Sequence, residues 1–129
     1  MSSLAHAPRL FVVDDDERTA RRFASMLEED GYCVEVFRDG EEVLARFAHD
    51  PPPDAIVTDL VIPREGGIAV LGEARRRWST IPVIFVTGYP ELIEQATARF
   101  QPSPLVFAKP ISYDAFGATL HGLFSKRGH

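Results

Sequence analysis

A few polar residues in this sequence could do chemistry together: the consecutive acids Asp14, Asp15 and Asp16, a lone acid Asp59, the hydroxyl of Thr87 and the ammonium of Lys109. Asp59 is the odd one, set inside the apolar stretch PDAIVTDLVIP. Clustered carboxylates repel, and one of their pKa values rises unless a cation sits among them. A hard divalent ion such as Mg2+ or Mn2+, bound through oxygens and several waters, meets that need. Such an ion neutralises phosphoryl oxygens, and a carboxylate can accept a phosphoryl group as an aspartyl phosphate. Lysine and threonine add a point charge and a hydroxyl donor for the same oxygens. Phosphoryl transfer asks mainly for in-line positioning and charge stabilisation, which this set can supply.

Each residue alone has a plainer use. An acidic triplet before a helix reads as a solvated cap, Lys-Pro as a loop dipeptide, and a threonine at a strand end as unremarkable. What joins them is the order of elements. Five short apolar runs, Leu10–Val13, Cys33–Phe37, Ala55–Thr58, Val83–Thr87 and Leu105–Ala108, have strand length and composition. Helical stripes separate them: Ala20/Phe23/Ala24/Leu27, Val43/Leu44/Phe47, Val70/Leu71/Ala74/Trp78, Leu92/Ile93/Ala96/Phe100 and Phe116/Leu120/Leu123/Phe124. Asp16 is placed to start the first helix, Asp39 with Glu42 resembles a capping box, and Pro90 suits a first turn. The pattern predicts an α/β fold with β-α repeated five times around a parallel sheet. Ligands bind such sheets beyond the carboxyl ends of the strands. There the acidic triplet follows the first strand, Asp59 the third and Lys109 the fifth, while Thr87 ends the fourth; the second brings nothing of this kind.

Composition narrows the possibilities. The chain has 129 residues, 45% hydrophobic and 26% charged, which fits one domain. Its net charge of −5 argues against direct nucleic-acid binding. No apolar run is long enough for a membrane span, and the start, MSSLAHAPR, reads as a disordered lead-in over residues 1–8. The domain is expected over 9–125, with a tail at 126–129. Cys33, the single cysteine, suits a reducing cytoplasm and reads as a core residue. The histidines His6, His49, His121 and His129 show no metal-ligand spacing.

The motifs VVDDDE, VTDLVIP, VTG and KP, in this order, resemble the receiver domain of bacterial response regulators over roughly Arg9–Phe124. The resemblance implies a CheY-like, flavodoxin-like (βα)5 fold, doubly wound, with strand order 2-1-3-4-5. It implies that Asp59 is the phospho-acceptor for a histidine kinase or phosphotransfer protein, that Asp15 is a direct Mg2+ ligand and that Asp14 acts through water. Val61 would lend its backbone carbonyl to the metal. Thr87 matches the switch hydroxyl, Lys109 the phosphoryl-contacting lysine, and Pro110 the proline after a cis bond. The implied activity is a phosphorylation-dependent switch acting on a downstream protein or a fused output domain, not a multiple-turnover enzyme.

Departures from the family pattern are specific. Val106 stands where an aromatic switch residue is frequent, so a signal must rely on the Thr87 loop and the fourth helix. Gly67 matches an acid-glycine pair and Gly66 does not, which implies a more flexible start to the third helix. Val61 and Tyr89 occupy positions that tune access of water, and their types imply slow self-hydrolysis. Three rivals stand against this. A flavodoxin-like flavin carrier shares the topology but wants a Ser/Thr/Gly-rich phosphate loop after the first strand, where this chain has acids. An aspartate-nucleophile phosphatase of the haloacid dehalogenase type wants Thr or Val where Asp14 leads to Arg18. A receiver-type docking module that needs no phosphorylation would dispense with the acceptor set.

Overall fold

The structure, a computed structural model, describes residues 7–127; the expected lead-in up to residue 6, and the last two residues of the expected tail, lie outside the described residues. Ten elements alternate: β1 (Arg9–Val13), α1 (Glu17–Glu29), β2 (Cys33–Phe37), α2 (Gly40–Arg46), β3 (Ala55–Thr58), α3 (Gly66–Arg77), β4 (Val83–Thr87), α4 (Pro90–Ala96), β5 (Leu105–Ala108) and α5 (Tyr113–Arg127). The strands form one parallel sheet in the order β2-β1-β3-β4-β5. The α/β architecture expected from the sequence is the one observed.

Side chains along a strand alternate between faces, and here each face carries its own core. Phe11, Val13, Ile56, Val83 and Phe85 point to the side packed by Val43, Val70, Leu71 and Ile93 from α2, α3 and α4. Leu10, Val12, Ala55, Val57 and Ile84 point to the other, packed by Leu27 of α1 with Phe116 and Leu120 of α5. This two-sided burial is why β1, β3 and β4 read as continuous apolar runs.

Helix starts follow side-chain chemistry. Asp16 caps α1, its carboxylate accepting from the Thr19 N–H at 3.3 Å and hydroxyl at 2.9 Å. Asp39 caps α2 through the Glu42 N–H at 2.8 Å, and Glu42 accepts in return from the Arg38 N–H, one residue earlier than in the usual box.

Two expectations need correction. The fourth helix ends at Ala96, so Phe100 lies beyond it, and Leu92 faces solvent at 51% exposure. Thr97 ends the helix, its hydroxyl donating to the Ile93 carbonyl at 2.7 Å. Cys33 is half-buried on the edge strand β2, with Arg9 Nη1 3.3 Å from its sulfur, so it is not a core residue. β5 forms the other edge, as the expected strand order implies, with Leu105 and Val106 exposed.

Phe116 is fully buried and anchors α5, its ring 4.9 Å from that of Phe23 and 5.2 Å from that of Phe107. Phe116→Ala is expected to cost about 3–5 kcal/mol of stability in urea unfolding, and a cost below 1 kcal/mol would mean that α5 is not docked through this ring.

Candidate functional site

The sheet's register brings the polar residues to one edge. Val13 pairs with Thr58 and Thr87 with Ala108, so Asp14, Asp59 and Lys109 each leave the sheet just after a paired residue. Backbone bonds carry the ladder one step further. The Asp14 N–H donates to the Phe37 carbonyl at 3.0 Å, the Asp59 N–H to Val13 at 3.4 Å and the Lys109 N–H to Thr87 at 2.8 Å. The second strand, silent in the sequence, thus contributes a carbonyl that holds Asp14.

Lys109 Nζ lies 2.6 Å from Asp59 Oδ2, with Asp59 17% exposed and Lys109 42%. The other carboxylate oxygen, Oδ1, accepts from the Val61 N–H at 3.3 Å. Burial works to lower the Lys109 pKa, but the hydrogen bond and charge of Asp59, joined by Asp14 and Asp15, hold it above the usual lysine value. Asp14 is pushed the other way from an ordinary carboxylate. Burial raises its pKa first, and the charges of Asp59 and Asp15 add to this, against the Asp16 N–H bond and Lys109. Asp15 is exposed, and Asp16 turns away to cap α1. Among the described residues no three His, Cys, Asp or Glu side chains stand close enough to form a metal cluster by themselves. Behind the edge a cavity of about 470 Å³ opens between α1 and the start of α5, lined by Val12, Phe23, Val57, Val86 and Ile111, with Asp14, Asp59 and Lys109 at its polar side.

Thr87 is buried, and its hydroxyl accepts from the Tyr89 N–H at 3.0 Å. Val61 and Tyr89 are 68% and 58% exposed. The Lys109–Pro110 peptide bond is cis. Val106 pairs with Phe85 on the edge strand, while the aromatic next to it, Phe107, packs inward on Phe116.

The start of α3 is held more closely than its two glycines imply. The Gly67 N–H donates to the Leu60 carbonyl at 3.0 Å, and a Cβ at Gly67 would fall 2.5 Å from the Asp59 carbonyl oxygen. Gly40, at the start of α2, packs equally hard on this loop: a Cβ there would collide with the Arg64 carbonyl oxygen. Sequence reasoning passed over Gly40 and Arg64. Glycine near a helix start is common, and no local pattern shows that another loop's backbone must pass there.

A family model described as "Response regulator receiver domain" matches residues 10–118. The chain belongs to that family. As a receiver domain it is similar to the transcriptional regulatory protein TrcR of Mycobacterium tuberculosis, 28% identical over 94% of this chain and 47% of the relative. It also resembles the response regulator MprA of Mycolicibacterium vanbaalenii, 29% identical over 92% of this chain and 51% of that protein. The receiver domain therefore spans about half the length of the curated relatives it matches. Among solved structures it superposes on the Francisella response regulator 1452 receiver domain, with a TM-score of 0.80, 26% identity, and coverage of 93% of this chain and 98% of that one. The fold is shared with TrrA of Thermotoga maritima in complex with Mg2+-BeF, with a TM-score of 0.78, 24% identity, and coverage of 90% and 98%. In the receiver domain's described residues no helix is long and apolar enough to cross a membrane.

The raised pKa of Asp14 has a sign that can be tested. Its contribution to stability is present below the ordinary carboxylate pKa of 3.8 and is lost as pH rises through the higher folded-state value. At neutral pH in EDTA, Asp14→Asn is expected to raise the thermal midpoint, with the gap closing in acid. An unchanged or lower midpoint at neutral pH would show that the ionised carboxylate carries no penalty.

Proposed function

We propose that Asp59 is the phospho-acceptor of this receiver domain and that its phosphorylation switches the binding of a downstream protein or of a fused output domain. The observation that carries this reading is the 2.6 Å contact between Lys109 Nζ and Asp59 Oδ2 at the edge where Asp14 and Asp15 also act. An ammonium on one carboxylate oxygen and the Val61 N–H on the other orient the acid. A histidine kinase or phosphotransfer protein presents phosphohistidine. An Asp59 oxygen bonds to phosphorus and the P–N bond breaks. The electron pair leaves with the imidazole nitrogen, which takes up a proton. Lys109 then stays beside the new acyl phosphate as counter-charge.

The charges present fit a divalent cation. Asp14, Asp15 and Asp59 against Lys109 leave two formal negative charges in excess, and all three acids offer hard oxygens. Mg2+ or Mn2+ would be held by Asp15 and Asp59, by Asp14 through water and by the Val61 carbonyl; when bound it neutralises phosphoryl oxygens. The Mg2+-BeF complex of TrrA supports the same chemistry here.

Thr87 links the site to α4. Its hydroxyl now serves the Tyr89 N–H, and turning it toward a phosphoryl oxygen frees that N–H just before a helix that has no side-chain cap. Phosphorylation thereby biases an existing equilibrium. With Val106 on the edge strand in place of an aromatic, the relay runs through Thr87, Tyr89 and α4. A cytoplasmic location belongs to this reading.

Asp59→Asn is expected to abolish incorporation of label from acetyl phosphate, and EDTA to do the same for the unaltered chain. Label retained by Asp59→Asn would overturn the assignment. Unchanged partner binding by that variant, with and without phosphodonor, would favour the phosphorylation-independent docking module. The exposed Val61 and Tyr89 side chains stand at positions that tune access of water, so the phosphoryl group is expected to persist well beyond seconds and to be lost faster in Tyr89→Ala. A wild-type lifetime of only seconds contradicts this.

A further inference from the structure

The loop after Asp59 adopts a conformation that its residues resist. Arg64 (φ 53°), Glu65 (φ 82°) and Gly66 (φ 63°) follow one another in the left-handed region, where only glycine rests without steric penalty. The start of α2 meets this turn directly. The Gly40 N–H donates to the Pro63 carbonyl at 3.0 Å, and the missing Cβ of Gly40 leaves room for the Arg64 carbonyl oxygen. The Arg64 guanidinium reaches back to Glu41 at 2.8 Å and to Asp39, the α2 cap, at 3.9 Å. On its far side the loop is pinned by Gly67 against the Leu60 and Asp59 carbonyls. Val61 lies between the pinned Leu60 and Pro63 carbonyls, two residues after Asp59.

As a stabilising pair, Arg64 and Glu41 count for little. They are 65% and 68% exposed, and exposed ion pairs add almost nothing to folding. A left-handed turn of non-glycine residues persists only where its surroundings over-determine it. Such turns collect where geometry serves a purpose.

We infer that Arg64, held by Gly40, Glu41 and Asp39, is a positioning residue for the acceptor loop: it keeps residues 64–66 in their left-handed turn and so sets the Val61 carbonyl and the Asp59 backbone for a divalent cation. The inference rests on the reading of Asp59 as acceptor and adds to it a role for the start of α2. Charge and positioning act with opposite signs. As a charge alone, Arg64 repels a cation at the neighbouring acids, and its removal tightens binding. As a positioning residue, its removal loosens binding.

The experiment titrates Mg2+ into the full chain and follows the Val61, Gly66 and Gly67 amides by NMR, in wild type, Arg64→Ala and Arg64→Asn. Both variants lose the same charge, but asparagine tolerates the left-handed backbone. Arg64→Ala is expected to bind Mg2+ roughly tenfold more weakly, as loss of an outer partner costs a metal site, and to shift the metal-free Glu65–Gly67 amides. Its thermal midpoint stays near that of wild type. Arg64→Asn is expected to recover much of the affinity. Equal or tighter binding by Arg64→Ala, or identical losses in both variants, overturns the inference. Wild-type amides that ignore Mg2+ overturn the acceptor reading instead.

Discussion

Hydrogen bonds that run one residue past the strands fix this site. Asp14 hangs from the Phe37 carbonyl, Asp59 from that of Val13 and Lys109 from that of Thr87. Each chemical group is therefore set by the register of the sheet and not by a loop's preference. A slip of one residue in any of these strands would turn its side chains to the opposite face. The two cores prevent this, because every inward residue of β1, β3 and β4 already has its partners on one side or the other. Packing far from the edge thus decides where a carboxylate and an ammonium meet.

That meeting carries an electrostatic cost that the fold only half offsets. Lys109 compensates Asp59, while Asp14, half-buried and facing two other acids, is left with a raised pKa. A structure selected for stability alone would place an amide there. Contrast Glu35, on the edge strand β2, whose carboxyl is held below its ordinary range first by hydrogen bonding from Arg46, against the pull of burial, and further by Arg9. Where charge is structural here, it is paired on both sides; at the edge that holds Asp14 and Asp59 it is left in excess.

How far the sequence reveals all this depends on whether the cause is local. Strand runs, helix stripes and caps are local, and Asp16, Asp39 and the burial of β1 and β3 were legible from their neighbours alone. Placement of Asp14, Asp59, Thr87 and Lys109 on one edge followed from topology, a regular consequence of alternation. What escaped was non-local. Gly40 is small because another loop's carbonyl passes over it, and Arg64 sits left-handed against a helix two elements away. The exposure of β5 and the half-exposure of Cys33 also depend on which strands are outermost, which apolar composition does not record. The fourth helix differs for another reason: its chain leaves helical geometry at Thr97, whose N–H and hydroxyl both bond the Ile93 carbonyl, so the stripe that hydrophobicity alone would continue to Phe100 stops there.

The brevity of α4 has a consequence of another kind. Seven residues, no side-chain cap and a single fully buried apolar anchor, Ile93, make it the least committed helix of the described chain. Segments of that sort open at little free-energy cost and draw few constraints from the core. Substitutions at Glu91, Leu92, Glu94 or Gln95, all solvent-facing, leave the sheet and its polar edge untouched. Sequence change along this short helix can therefore accumulate at little cost to the fold, while the polar edge of the sheet stays the same.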